Sequence, residues 1–372
     1  MADQVSELNS RLFLARQRLQ SLKPSTTSEQ VRFAHAKLRL ANACGRREEE
    51  LAVFAHGLGD AEFATEQQWA SLAAHQRAVA SVESDCMALQ YTALLRQTEP
   101  VASVCDAADH LLSEFSSLAA TPRTHYVLIS AAEQFKGEIS AIHLSLGRLD
   151  IWGFSRLAHE FGHLWAEEQA NTGDGLQKTF VRALAGNWDE ALAKEFFADI
   201  LATYLLGPCY VYSCLLLDFN PNDRQRSESH PGADERAHVV LAALQEMAKT
   251  FEATTAGMLR TMVSELEDFW YRSRTAAGAG GPLQNQMKLQ WETAKLLKPV
   301  RKSIPGAEYR SLAQAYAVAN SLSNGRGRPH SVSSMDILNG AWLRRRTVRR
   351  DDIYEIGNCA LQMLRNSELP DE

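Results

Sequence analysis

The chain has 372 residues, 45% apolar and 23% charged, the proportions of a globular protein able to bury a sizeable core. Its net charge of −6 gives no general attraction to nucleic acid or to anionic membranes. No apolar run reaches the roughly 18 residues of a spanning helix, and the opening Met1-Ala2-Asp3-Gln4 lacks the basic and apolar parts of a signal peptide. The cysteines (Cys44, Cys86, Cys105, Cys209, Cys214 and Cys359) form no C-x-x-C pair, so reduced thiols and a cytoplasmic location are expected.

Taken in order, Val5, Leu8, Leu12, Ala15, Leu19 and Leu22 follow a 3-4 spacing and predict a helix ending at Lys23-Pro24-Ser25-Thr26. So short a run favours packing within a helical bundle over a dimer seam. Thr27-x-x-Gln30 offers a capping box for a second helix reaching to near Phe54. Ala-rich stretches from Ala61 to Leu95 and from Val101 to Leu118 predict two more. Residues 1–120 are therefore expected to be all-helical and without chemistry; His35, His56, His75 and His110 lie singly there and suit surface or capping roles. At Thr121-Pro122-Arg123 the texture changes. Tyr126–Ser130 is strand-like, and Ile142, Leu144 and Leu146 alternate with Ala141, His143 and Ser145. Asp150 is a candidate cap for the helix that follows.

That helix carries Leu157-Ala158-His159-Glu160-Phe161-Gly162-His163-Leu164-Trp165. Positions i and i+4 share a helix face, so both imidazoles can converge on one ion while Glu160 handles a water. The plainer reading is two histidines on a half-buried helix. A catalytic zinc needs a third protein ligand and an open fourth position. Glu195 and Asp199 stand one turn apart among Phe196, Phe197, Ile200, Leu201, Tyr204 and Leu205, and Gly207-Pro208 stops that helix. Acids beside so apolar a face are costly to bury unless paired or on a metal. Taken alone they could be solvent-facing helix acids. Beside the upstream histidines, Glu195 becomes the candidate third ligand and Asp199 the acceptor for a ligand histidine's free ring N–H. Asp189 and Glu190 are rival carboxylates, and the stretch from Glu167 to Glu190, with its loop at Asn171–Gly175, is a candidate wall or lid of the cleft.

H-E-x-x-H followed by E-x-x-A-D resembles the gluzincin metallopeptidases, most of all the family of the CAAX prenyl proteases and the bacterial heat-shock membrane protease. A third segment supports it: His230, Pro231 and Arg236 match that family's H-P-P-x-x-x-R, with Gly232 in place of the second proline. The resemblance spans roughly residues 139–237, and the family's transmembrane helices have no counterpart. It implies a zincin-like core with zinc on His159, His163 and Glu195, Asp199 behind them, and Glu160 as general base. It places His230 and Arg236 at the oxyanion, with a structural ion pair as the other role for Arg236. It also implies that residues 139–146 form an edge strand that pairs with an extended peptide.

Beyond the motifs, Leu217–Asp223 reads as a polar loop. A helical pattern runs from Asp234 to about Arg274, breaks at Gly278–Pro282, and two or three further helices follow, separated by Ser323–His330. Arg344, Arg345, Arg346, Arg349 and Arg350 lie near Trp342. A solvated helix end pairing with Asp351, Asp352 and Glu355 is favoured over a nucleic-acid patch, because the chain is acidic and offers no aromatic platform. The expected fold is mainly α with a small β-sheet (α+β): a zincin-like core over residues 121–245, flanked by helical regions 1–120 and 246–372. The expected function is zinc-dependent hydrolysis of peptide bonds in a protein or peptide substrate. The alternatives are a helical interaction module with an inactive or partner-gated core, whose flanks would bind a regulatory protein, and a zinc hydrolase acting on something other than peptides.

Overall fold

A computed structural model describes residues 1–23, 30–58, 65–121, 126–130, 134–136, 141–145, 150–170, 175–184, 188–223, 230–278, 286–349 and 352–365. The expected features at Pro24–Thr27, Pro122-Arg123, Asn171–Asp174, Gly280–Pro282 and Arg350-Asp351 lie outside these residues. The described chain is mostly helical with one small sheet, as composition and periodicity predict. No described helix is long and apolar enough to cross a membrane, and the cysteines are free thiols. Contacts divide the chain into two compact units, residues 1–105 with 124–147, and residues 106–123 with 148–372. This partition cuts the chain differently from the three regions suggested by texture. Helices beyond residue 246 pack directly on the helix 233–248, which carries Arg236 of the third motif.

In the first unit, α1 (Ala2–Ser21), α2 (Gln30–Gly57) and α3 (Glu66–Leu95) pack against one another. α1 buries Val5, Leu8, Leu12, Ala15 and Leu19, the 3-4 stripe read from the sequence, against this chain's own helices. A reciprocal capping box between Thr65 and Gln68 starts α3.

The sheet has β1 (Val127–Ser130), β2 (Gln134–Lys136) and β3 (Ala141–Ser145) in the order β1-β3-β2. β3 pairs in parallel with β1 and antiparallel with β2, so the strand expected to be an exposed edge is the central one. The short β2 was not apparent in the sequence; it folds back and takes up the hydrogen-bonding side that a peptide would need. The outer side of β1 meets α3. Ile129 N–H donates to Thr92 Oγ1 (2.7 Å), and Arg96, stacked on Tyr126, donates to the Val127 carbonyl (3.2 Å). These bonds satisfy backbone groups that an open edge would leave bare. His143 is buried in this unit, 3.7 Å from Asp85.

The second unit holds α5 (Phe154–Ala170), α6 (Leu176–Leu184), α7 (Glu190–Leu206), α8 (Pro208–Ser213), α9 (Ala233–Ala248), α10 (Ala253–Ala276), α11 (Gln286–Ser303), α12 (Leu312–Ser323), α13 (Ser334–Arg345) and α14 (Ile353–Arg365). α4 (Val101–Leu118) spans the boundary between the units. The single helix expected from Asp234 to Arg274 is two: the Glu252 carboxylate caps a new N-terminus, accepting from Thr254 N–H (2.7 Å) and Thr255 N–H (2.6 Å). After α10, four helices rather than two or three are described.

Candidate metal centre

Each helix of the site is started and stopped by local chemistry. The Asp150 side chain accepts from Gly153 N–H (3.0 Å) and caps the 3-10 turn 151–153 that runs into α5. The Asp189 side chain accepts from Ala191 N–H (2.8 Å) and so caps α7. α7 ends at Gly207, whose φ of +61° suits glycine, and a Cβ there would lie 2.6 Å from the Tyr309 ring. Glu235 Oε2 accepts from Gly232 N–H (3.2 Å) at the start of α9.

α5 and α7 lie unusually close together. A Cβ on Gly162 would stand 2.9 Å from the Ala198 Cα, so only glycine on α5 opposite the small Ala198 on α7 permits the approach. Both residues lie inside the motifs, at the unspecified fourth position of H-E-x-x-H and at the alanine of E-x-x-A-D. The approach brings His159 and His163 up to Glu195. His159 Nε2 and His163 Nε2 are 3.3 Å apart, His159 Nε2 and Glu195 Oε2 3.3 Å, and His163 Nε2 and Glu195 Oε1 3.2 Å. Among the described residues, these three form the group that could hold a metal ion. Donors held about 2.0–2.1 Å from a tetrahedral ion lie roughly 3.3–3.4 Å apart, close to the spacing of the two imidazole nitrogens from each other and of each from a different oxygen of the Glu195 carboxylate. Glu195 Oε2 is buried, with His159 Nε2 at 3.3 Å and His230 Nε2 at 3.6 Å facing it. The two nitrogens and a carboxylate are a donor set that zinc accepts.

Behind this group, Asp199 is fully buried. Its Oδ1 accepts from His159 Nδ1 (2.9 Å), from the Tyr210 hydroxyl (2.5 Å) and from Arg236 NH2 (2.7 Å), and its Oδ2 accepts from Arg236 Nε (2.7 Å). The Arg236 guanidinium lies over the Phe219 ring at 5.1 Å. Burial works to raise the Asp199 carboxyl, but Arg236 and then His159 outweigh it and hold it well below the usual carboxylate range. Glu195 behaves alike: burial opposes ionisation, and the two imidazoles depress it far below its ordinary value. Burial draws the His159 imidazole down, while Asp199 and Glu195 together push it up to about 9.

Compared with protein-family models, with curated proteins and with solved structures, the chain matches none. Its own residues therefore carry the assignment. His159, His163, Glu195, Asp199 and Arg236, singled out from the sequence, meet here, and Glu160 lies buried on α5 next to His159. The His230 ring joins them at the rim: Nε2 is 3.6 Å from Glu195 Oε2, with its side chain 56% exposed. Arg236 spends two of its nitrogens on Asp199, which matches the ion-pair role rather than a free donor at the oxyanion. The rival carboxylates are engaged elsewhere, Asp189 in its cap and Glu190 with Lys194 on the surface (2.7 Å).

Sequence reasoning gave no role to Tyr210 or Gly162. The glycine had a signal, an isolated Gly inside a helical pattern; the tyrosine had none. In the arginine cluster, Arg344, Arg345 and Arg346 meet partners in their own chain, with Arg344 donating to Thr347 Oγ1 (3.2 Å). Arg345 stacks on Trp152 and Trp342, and Arg346 reaches Tyr212 and Glu265 (2.6 Å). Among the described residues, the carboxylate partner seen for Arg346 is Glu265 on α10.

Proposed function

We propose that the chain is a zinc metallopeptidase of gluzincin type, hydrolysing peptide bonds with Glu160 as general base. The observation that carries this is the cluster of His159, His163 and Glu195, with the two Nε2 atoms 3.3 Å apart and each facing one oxygen of Glu195 at 3.2–3.3 Å, reached through three motifs in family order. When bound, zinc supplies Lewis acidity, making a water more acidic and a carbonyl more electrophilic at neutral pH. Glu160 takes the proton of the attacking water and passes it to the departing amine nitrogen. His230, half in solvent at the rim, donates an N–H toward the oxygen on which negative charge develops. Asp199 and Arg236 keep His159 in place; an ion pair so deeply buried is worth its desolvation only where orientation matters.

The test separates binding from chemistry. Glu160→Gln should keep one zinc per chain and lose hydrolysis of a quenched-fluorescent peptide library by a factor of 100 or more, the scale of a general base. A variant as active as wild type would remove Glu160 from the mechanism. Hydrolysis absent from zinc-loaded wild type as well would favour a non-peptide substrate or a core that a partner must switch on.

A further inference from the structure

The segment that follows α7 touches the site with a residue outside all three motifs. Tyr210 on α8 is buried, its hydroxyl 2.5 Å from Asp199 Oδ1 and 3.2 Å from His159 Nδ1. The same segment is pinned to the start of α5. Ser155 Oγ donates to Ser213 Oγ (2.6 Å), and Arg156 Nε lies 3.2 Å from Asp218 Oδ2. The Tyr210 hydroxyl therefore stands on a backbone tied to the helix that bears His159.

Asp199, held by Arg236 through both oxygens, faces His159 Nδ1 as an acceptor, which leaves His159 Nε2 on the side of His163 and Glu195. Asp199 Oδ1 receives Tyr210, Arg236 and His159, one more donor than its two lone pairs serve well. Tyr210 gives its own proton to Asp199 and offers its oxygen to the His159 Nδ1–H as a second acceptor. The single Nδ1–H is then shared between two adjacent acceptors, which restricts the ring's orientation more than one acceptor would.

We propose that Tyr210 is a positioning residue of the metal centre: by sharing the Nδ1–H of His159 with Asp199 it fixes the tautomer and the ring plane that aim Nε2 at the ion. This inference rests on the metal-centre reading above and goes beyond it by assigning part of the metal's hold to a residue that no motif contains.

The experiment measures zinc dissociation constants by chelator competition on the full chain as wild type, Tyr210→Phe and Tyr212→Phe. Phenylalanine keeps the ring that fills the core, and Tyr212 is a buried tyrosine of the same helix whose hydroxyl serves Arg346 instead. Tyr210→Phe should weaken zinc about tenfold, the scale at which such supporting groups act, and shift the visible bands of the cobalt-substituted protein. Tyr212→Phe should do neither. Equal affinities and unchanged cobalt bands in all three proteins would overturn the inference and leave the metal centre standing, as would equal losses in both variants. Wild type that takes up no zinc would overturn the metal-centre reading itself. If Tyr210→Phe does not fold, the tautomer is read from nitrogen shifts of histidine-labelled wild type. A proton held on His159 Nδ1 and slow to exchange is expected; a proton on Nε2 in the zinc-loaded protein contradicts it.

Discussion

In the bundle of α1, α2 and α3, the buried faces are mostly apolar, built from Val5, Leu8, Leu12, Leu19, Phe33, Leu40, Leu72 and Leu89, with Asp85 buried beside His143 and charged pairs such as Arg11 and Glu83 at the rim. In α5, α7 and α9 the buried faces also carry His159, Asp199, Asp234, Glu235 and Arg236. Both regions are helix on helix. The first is held by area removed from water, which is indifferent to which partner covers it. The second is held by apolar contact into which charges have been set, and each of those needs its own counterpart at its own distance. Asp234, for example, accepts from Trp270 Nε1 (2.9 Å) and pairs with Arg274 (3.0 Å), which ties α9 to α10.

The comparison can be broken most forcefully at its central pair. Asp199→Ala leaves Arg236 buried without its carboxylate and should cost ~3–5 kcal/mol in urea unfolding; a loss no larger than that of a surface substitution would mean the pair is not buried as described. Leu12→Ala in the bundle should cost ~2–5 kcal/mol by opening a cavity, yet leave zinc uptake per folded chain as it was. A fall in zinc content with Leu12→Ala would couple the two regions, against the division into separate units. Gly162→Ala pushes a methyl into the backbone of α7. It should cost ~1–3 kcal/mol and also weaken zinc, because it spreads the imidazoles from Glu195; calorimetry and chelator competition read the two effects separately. The smallest effect is expected at Glu190→Gln, which removes an exposed rival carboxylate. Zinc content and melting temperature should stay at wild-type values, and lost zinc would move the third ligand from Glu195 to Glu190.

The same contrast explains what could be read in advance. The 3-4 stripe of α1 depends only on helix geometry and apolar spacing, and so the buried residues of that helix were legible one by one. His159, His163, Glu195 and Asp199 were legible because the i, i+4 relation is local to each helix, and an acid amid phenylalanines needs a reason. What joins the helices was not. Ala198 opposite Gly162 is a tertiary approach, and the glycine looks in sequence like a mere penalty of about 1 kcal/mol to its helix. Tyr210 reads as one more aromatic in a buried segment until α8 turns it under Asp199. The central place of β3 depended on β2, a strand too short to announce itself by alternation. The join between α9 and α10 was missed because a Glu in a helical run signals helix equally well when it caps a new one.

The measurement that bears most directly on the central claim is metal content by mass spectrometry of wild-type protein and of His163→Ala. About one zinc per wild-type chain, lost in the variant while its fold persists, is the result the geometry of His159, His163 and Glu195 predicts. A wild-type chain that carries no metal and takes none from added zinc would contradict it, and the buried acids around His159 would then be a polar core without a cation.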